Sequence, residues 1–204
     1  MRPILAVSAL LLAASVSSPL FAAAAEAVIG GPCEGCELIF AGMPAELSAT
    51  ARIAPVGAAG EPLTITGTVR TAAGEPASGI VVYAYHTDAA GIYPPGATRH
   101  GRLRAWVRTD AGGRYRFATI RPGAYPEGTV PQHVHLHVLE PGCCTYWIAS
   151  IHFADDPLLG AEARAAMREG RGGSGLVEPR RDATGAWRVE RDIVLGQRVP
   201  GYPR

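Results

Sequence analysis

The chain has 204 residues, which is enough for one domain with a substantial core and too few for several. Its 19 basic and 18 acidic side chains leave a formal net charge of +1, and every basic residue in that count is an arginine. These arginines are dispersed among acids and glycines, so the composition excludes the concentrated basic patch of a nucleic-acid-binding protein.

The first residues have the pattern of a secretory signal peptide. Arg2 provides the positive charge, residues 4–12 form an apolar run, and an alanine-rich stretch ends at residues 22–25. We therefore predict a signal peptide at residues 1–25, cleaved near Ala24 or Ala25. No later segment is long enough to cross a bilayer. The expected location is the periplasm or the cell exterior.

Residues 26–60 are rich in Ala, Gly and Pro and have weak periodicity, which predicts an irregular N-terminal arm before a domain at residues 61–204. Four cysteines form two close pairs, Cys33 with Cys36 and Cys143 with Cys144. In an exported chain an even cysteine count favours disulfides, although the sequence leaves three connectivities open. The alternative, a thiolate metal site built from both pairs, is disfavoured because adjacent cysteines on an extended segment point to opposite faces.

From residue 61 onward the sequence predicts short strands separated by Gly/Pro turns. Residues 63–69 and 80–85 are expected to form one hairpin-like pair, and residues 105–109 and 115–120 another around a glycine turn. Further strands are predicted at residues 133–139, 146–153 and 187–195, and one helical insertion at residues 158–168. This arrangement indicates an all-β fold, a β-sandwich of mixed or antiparallel strands.

The most informative strand carries three of the six histidines of the chain, His133, His135 and His137. Because side chains two residues apart on a strand lie on the same face, these imidazoles can converge on one metal ion. A half-exposed strand that carries histidine by chance is the weaker explanation. The histidines alone leave zinc and copper open as the metal.

Four motifs around this strand resemble the intradiol ring-cleavage dioxygenases. They are residues 82–93, 108–117, 119–126 and 131–135, in the order and spacing of that family. The resemblance extends over roughly residues 61–160. The family is represented by catechol 1,2-dioxygenases and protocatechuate 3,4-dioxygenases.

The resemblance implies an Fe(III) cofactor held by Tyr93, Tyr125, His133 and His135. Two phenolates suit a hard, highly charged ion, which can remove the proton of a phenol whose free pKa is near 10. By analogy with the family, a small aromatic diol binds with release of Tyr125, which takes a substrate proton and is therefore the catalytic residue. Reaction with O2 then opens the ring between the two hydroxyl-bearing carbons.

The sequence departs from the family at Val130. Many members have an arginine at this position, three residues before the first metal histidine, where it supports the reacting substrate. Four arginines are candidates to replace it: Arg99, Arg102, Arg104 and Arg121. The departure also leaves a second function open, an exported metal-binding β-sandwich module without catalysis.

Several aromatic residues have no role in the resemblance. His137 is expected to be either a supporting group behind the ligands or an exposed neighbour. We interpret the other histidines and the tryptophans as structural; they are His86, His100, His152, Trp106, Trp147 and Trp187. A copper or zinc site on His133, His135 and His137 alone is a third hypothesis.

Overall fold

The computed structural model of the protein describes residues 27–33 and 35–203, so the predicted signal peptide lies outside the described residues. The strands, in chain order, are β1 Ala27–Val28, β2 Thr50–Arg52, β3 Pro62–Arg70, β4 Val81–Tyr85, β5 Arg104–Arg108, β6 Arg114–Ile120, β7 His133–Glu140, β8 Cys144–Phe153, β9 Leu176–Val177, β10 Arg180–Arg181, β11 Trp187–Glu190 and β12 Ile193–Val194. A short 3-10 helix covers Cys36–Leu38, and helix α1 covers Ala161–Arg168.

The strands form two mixed sheets that pack face to face, which confirms the predicted β-sandwich. Sheet A has the order β1-β8-β7-β4-β5, with β9 beside β8, and sheet B has the order β10-β11-β3-β6-β2, with β12 beside β3. Their facing side chains form one apolar core, including Ile65 and Phe117 from sheet B and Val82 and Leu136 from sheet A. All four of these residues are at most 1% exposed.

Both predicted hairpin pairs are wrong. β3 pairs with β6 in sheet B, and β4 pairs with β5 in sheet A, so the chain crosses between the sheets at residues 71–80 and again at residues 109–113. Alternating hydrophobicity identifies the buried face of a strand but not its neighbour. The predicted strand at 187–195 is also interrupted, since β11 and β12 both pair with β3 on either side of Arg191.

The central strands of sheet A, β4 and β7, are buried on both faces, and this property positions the site. All five residues of β4 are buried: Val82 and Ala84 face the sandwich core, whereas Tyr83 and Tyr85 belong to a second cluster on the outer face. Segments of the N-terminal arm and the long loops that precede β5 and β7 cover this outer face. A strand with two buried faces has a continuous apolar and aromatic sequence.

The N-terminal arm is held on sheet A by tryptophan hydrogen bonds. The indole nitrogen of Trp106 donates to the Ile39 carbonyl at 2.8 Å, and that of Trp147 donates to the Pro32 carbonyl at 3.1 Å. The arm is largely irregular, as predicted, but it contributes β1, β2 and the 3-10 helix. It therefore forms part of the wall above the outer face.

The cysteines pair within each motif, Cys33 with Cys36 and Cys143 with Cys144. Their sulfur atoms belong to two separate groups of potential ligands within the described residues, one containing His137 and the other Glu140. This separation rules out the four-thiolate site that the sequence leaves as an alternative.

None of the helices in the described part of the chain is long and apolar enough to span a bilayer.

Candidate metal centre

Tyr93, Tyr125, His133 and His135, hereafter the tyrosine–histidine cluster, meet on the outer side of sheet A. The Nε2 atoms of His133 and His135 are 3.0 Å apart, and the His135 Nε2 is 2.9 Å from the Tyr93 hydroxyl. The hydroxyls of Tyr93 and Tyr125 are 3.0 Å apart. The structure thus brings together all four side chains that the family resemblance selects.

Strand β7 provides both histidines, and its geometry aims the rings at one point. The pairing of β7 with β8 shifts between Val134 and Leu136, a bulge that surrounds His135. Bulges re-aim side chains and are frequent beside functional sites. The rings of His133 and His135 are 4.5 Å apart with an interplanar angle of 88°, so that their Nε2 atoms approach each other edge to face.

The protonation of the histidines suits metal binding. His133 donates from Nδ1 to the Pro131 carbonyl at 2.8 Å, which fixes the proton on that nitrogen and leaves the Nε2 lone pair directed into the cluster. Burial lowers the pKa of His133, and it lowers the pKa of His135 to about 3. Both imidazoles are therefore neutral at ordinary pH, as metal coordination requires.

The phenol groups of Tyr93 and Tyr125 are also suited to binding a cation. Burial, followed by the hydrogen bond from Tyr125, raises the pKa of Tyr93 far above its ordinary value of 10, so the phenolate is costly without a positive charge beside it. Donor atoms bound at about 2.0–2.2 Å to one first-row metal ion lie roughly 3 Å from one another. The spacings within the cluster match that value, so its four residues fit a bound non-haem metal ion.

Two glycines allow the loops that carry the tyrosines to touch. Tyr93 lies on the loop at residues 86–103 and Tyr125 on the loop at residues 121–132. A Cβ on Gly91 would lie 1.8 Å from the Ala124 carbonyl oxygen, and Gly91 has a φ of +80°. On the other side of the contact, the amide of Gly123 donates to the Asp88 carbonyl at 2.8 Å. The separation of the two phenols therefore depends on glycine at position 91.

An aromatic column supports His135. The ring of Tyr85 stacks on His135 at 4.5 Å, and on its other face it stacks on His100 at 3.9 Å. The Nδ1 atom of His100 in turn shares a hydrogen bond of 2.9 Å with the Tyr83 hydroxyl. This column fixes the orientation of an imidazole in the cluster, and sequence reasoning assigns none of its members except His135 a role at the site.

A cavity of about 340 Å³ opens beside the cluster. Tyr93, Tyr125 and His135 line it on one side, and its other walls include Arg99, His100, His137, Cys33 and Trp147. Trp147, interpreted from sequence as a core residue, is only partly buried and belongs to this wall. Since an apolar cavity of roughly 150 Å³ holds benzene, this one has room for a substituted aromatic ring.

Of the four arginines considered as replacements for the cation missing at Val130, Arg99 is the one that lines the cavity. Arg121 instead forms a two-pronged ion pair with Asp155. Arg104 packs its guanidinium over Trp106, 5.3 Å from the ring centroid. Arg99 thus supplies a cationic side chain to the cavity wall from the loop that carries Tyr93.

His137 lies outside the donor set. It is 4% exposed, which rules out the prediction of an exposed neighbour, and its Nε2 is 3.6 Å from the sulfur of Cys33. Within the described residues, no group of converging ligand atoms combines His133, His135 and His137. The hypothesis of a copper or zinc site on these three histidines alone is therefore wrong.

Two other histidines are structural or peripheral. His86 is fully buried and bonds the Thr87 carbonyl at 2.5 Å and the Thr119 hydroxyl at 2.7 Å. His152, on β8, stacks against His133 with ring centroids 5.8 Å apart. The structural interpretation of His86 is confirmed, whereas His152 borders the cluster.

These features define a β-sandwich protein with a candidate metal centre of two phenols and two imidazoles beside a ring-sized cavity. The profile of the family described as "Dioxygenase" matches residues 42–178, well over half of the chain. The chain belongs to this family, the intradiol dioxygenases, which are ring-cleaving oxidoreductases that use non-haem iron.

Named relatives support this assignment. The chain is 34% identical over 114 residues to the protocatechuate 3,4-dioxygenase beta chain of Burkholderia cepacia, covering 49% of this chain and 48% of the relative. It is 32% identical over 127 residues to catechol 1,2-dioxygenase 1 of Acinetobacter lwoffii, covering 53% and 41%. The chain thus spans less than half the length of either relative.

Solved structures support the fold. The crystal structure of wild-type catechol 1,2-dioxygenase from Acinetobacter radioresistens superposes with a TM-score of 0.62 over 87% of this chain and 65% of that chain, at 20% identity. At this level of identity the likeness concerns the sandwich itself and not the chemistry that it carries.

Proposed function

We propose that the protein is an iron(III)-dependent intradiol dioxygenase that cleaves a catechol-type ring between its two hydroxyl-bearing carbons with O2. The observation that carries the proposal is the convergence of the tyrosine–histidine cluster, with its donor atoms 2.9–3.0 Å apart, at the wall of a ring-sized cavity. Iron bound there supplies Lewis acidity toward both hydroxyls of the diol and a template for its reaction with O2.

The two tyrosines have different roles in this proposal. Tyr93 is half-buried, and its ring packs 6.1 Å from the ring of Tyr85, so it stays in place as a permanent phenolate ligand. Tyr125 lies on a partly exposed loop, and its ring meets the ring of Tyr93 edge-on, with the centroids 6.1 Å apart. Its phenolate oxygen is therefore the group that moves aside and accepts a proton from an entering diol.

The two histidines hold the metal and do not exchange protons. The Pro131 carbonyl keeps the Nδ1 proton of His133 in place, and the stack with Tyr85 keeps the ring of His135 in its orientation. The remaining walls position the ring of the substrate and limit the access of water. Arg99 provides positive charge at the wall where an anionic ring substituent would be stabilised.

Export of the protein is part of the proposal. It is supported by the signal-peptide pattern at residues 1–25 and by the pairing of all four cysteines as disulfides, which persist in oxidising compartments.

The test is turnover of catechol by the iron-loaded protein under ¹⁸O2, with the product examined by mass spectrometry. The proposal predicts a muconate-type diacid with both labelled atoms. Tyr125→Phe should lower turnover at least about a hundredfold, because proton transfer by a positioned group contributes that much. Tyr202→Phe, which removes a hydroxyl that bonds Glu140 away from the cavity, is the matched control. Iron-loaded protein that leaves catechol intact would favour the non-catalytic module.

A further inference from the structure

A second group of metal-ligating atoms, the cysteine–histidine cluster of Cys33, Cys36 and His137, lies on the cavity wall. One nitrogen of His137 and the sulfur atoms of both cysteines lie within 4.8 Å of one another. The Cys33 sulfur is 3.6 Å from the His137 Nε2, and the Cα atoms of the cysteines are 5.6 Å apart. None of these residues belongs to the tyrosine–histidine cluster.

His137 has poor hydrogen-bond partners while the cysteines are bonded to each other. The residue is 4% exposed, and its Nδ1 has no hydrogen-bond partner among the described residues. Its Nε2 contacts the sulfur of a disulfide, which is a weak acceptor. A buried polar group without a hydrogen-bond partner is destabilising. The nitrogen that faces the cysteines is Nε2, so a metal ion bound between it and the sulfur atoms would replace this weak contact with a coordinate bond.

The turn between the cysteines is suited to chelation. Gly35 has a φ of +83°, in the left-handed region that favours glycine, and both sulfur atoms lie within 4.8 Å of a nitrogen of His137 on β7. Cys33 and His137 also line the cavity, so a reductant or an ion can reach the cluster from solvent.

We propose that, when the Cys33–Cys36 disulfide is reduced, these two cysteines and His137 bind a thiophilic divalent cation of the zinc type, separate from the iron centre. Two thiolates and an imidazole are a typical zinc donor set, and because Cys33 and His137 line the cavity, a water molecule from it could complete the coordination. Fe(III) is a hard ion and favours the phenolates of the tyrosine–histidine cluster, whereas the softer zinc-type ion favours the thiolates, so each ion prefers its own site.

The reaction balances with a dithiol as the reductant. The sulfur–sulfur bond of Cys33–Cys36 breaks and takes two electrons and two protons from the dithiol, which becomes a disulfide. Binding of Zn²⁺ then forms two sulfur–zinc bonds and one nitrogen–zinc bond, and releases the two thiol protons to solvent.

The other cysteine pair provides an internal comparison. Glu140, Cys143 and Cys144 also lie close together, but the Glu140 carboxylate already accepts hydrogen bonds from the hydroxyls of Tyr146 and Tyr202. Adjacent cysteines on one strand end are also poorly disposed to chelate one ion. This group is therefore not expected to bind the cation.

The test uses the full chain, reduced under nitrogen and titrated with Co²⁺ as a spectroscopic substitute for zinc. Sulfur-to-cobalt charge transfer in the near ultraviolet reports thiolate ligands only, so cobalt at the tyrosine–histidine cluster cannot produce it. We expect this band to saturate at one equivalent. It should vanish in Cys33→Ser/Cys36→Ser and persist in Cys143→Ser/Cys144→Ser, and His137→Gln should weaken Co²⁺ binding about tenfold or more.

The proposal would be overturned if no charge-transfer band appears although a thiol assay shows that the cysteines are reduced. It would also be overturned if the band disappears in Cys143→Ser/Cys144→Ser instead, or if His137→Gln binds Co²⁺ as tightly as the wild type does. Loss of the β-sheet circular dichroism on reduction would also contradict it, because the site requires the folded dithiol. None of these outcomes depends on dioxygenase activity, so the proposed function is tested separately.

Discussion

Replacing Gly91 with Ala should separate the two tyrosines of the candidate metal centre. The added Cβ would lie 1.8 Å from the Ala124 carbonyl oxygen, whereas real Cβ atoms essentially never come closer than 3.0 Å to such an atom. The Tyr125 loop would therefore have to retreat by roughly 1 Å, and a misplacement of that size can cost about a hundredfold in rate.

Gly128→Ala is the matched control for this change. Gly128 lies on the same Tyr125 loop with a φ of +69°, but no atom of the described residues lies within 4 Å of the position that an added Cβ would take. Both variants carry the strain of a left-handed alanine, about 1–2 kcal/mol, and only Gly91→Ala pushes the loops apart.

Iron content and steady-state catechol turnover of the two variants give the measurement. Gly91→Ala should lose at least about a hundredfold in turnover together with bound iron, while Gly128→Ala should stay within about twofold of the wild type. Equal iron content and equal turnover in the two variants would refute the claim that the contact between the loops sets the spacing of the phenols.

Burial lowers the pKa of His86 from 6.5 to about 4. Between these two pH values the unfolded chain therefore binds more protons than the folded protein. The stability that neutral His86 contributes is present above pH 6.5 and is lost as the pH falls toward 4. Between about pH 7.5 and pH 5, the free energy of unfolding should fall about 2 kcal/mol more in the wild type than in His86→Gln, as urea titrations would show; parallel curves would contradict this. Arg191 is 1% exposed and donates hydrogen bonds to the carbonyls of Gly172, Ala149 and Arg171. Arg191→Met should therefore lower the free energy of unfolding by about 3–5 kcal/mol, measured by urea denaturation. A decrease of less than about 1 kcal/mol would show that these bonds contribute little. Tyr115→Phe, which removes only the donor to the Arg191 carbonyl, should cost about 1 kcal/mol in the same assay, and a loss as large as that of Arg191→Met would contradict the ranking.

The positions of the longer strands are predictable because their side-chain alternation is local. The predicted strands at residues 63–69 and 133–139 agree with β3 and β7 to within one residue at each end. The pairing is not predictable, since the turns after β3 and β5 carry the same glycine signals whether the chain stays in one sheet or crosses to the other. The sequence of β4 is apolar and aromatic throughout, which is typical of a strand covered on both faces, but it does not identify the segments that cover the outer face.

The candidate ligands are predictable because each lies in a short motif, such as the Gly-x-Tyr that ends at Tyr93. The residues of the cavity walls are not predictable, because they come from segments that are distant in the sequence. Cys33, for example, contacts His137, which lies 104 residues further along the chain. One signal for the wall is present in the sequence, the Tyr83-Ala84-Tyr85 alternation, which places two aromatic rings on the face opposite Ala84. Tyr85 then stacks on His135.

The metal centre is tested most directly by the visible absorption spectrum of the iron-loaded protein, with iron quantified, before and after catechol is added under air. We expect one iron per chain and a broad tyrosinate-to-iron band that shifts when catechol is added and returns as oxygen is consumed. Tyr93→Phe should weaken this band, because one of the two phenolates is lost, and Tyr202→Phe should keep it unchanged. A colourless protein without iron, or an unchanged band in Tyr93→Phe, would contradict the assignment of Tyr93, Tyr125, His133 and His135 as the metal centre.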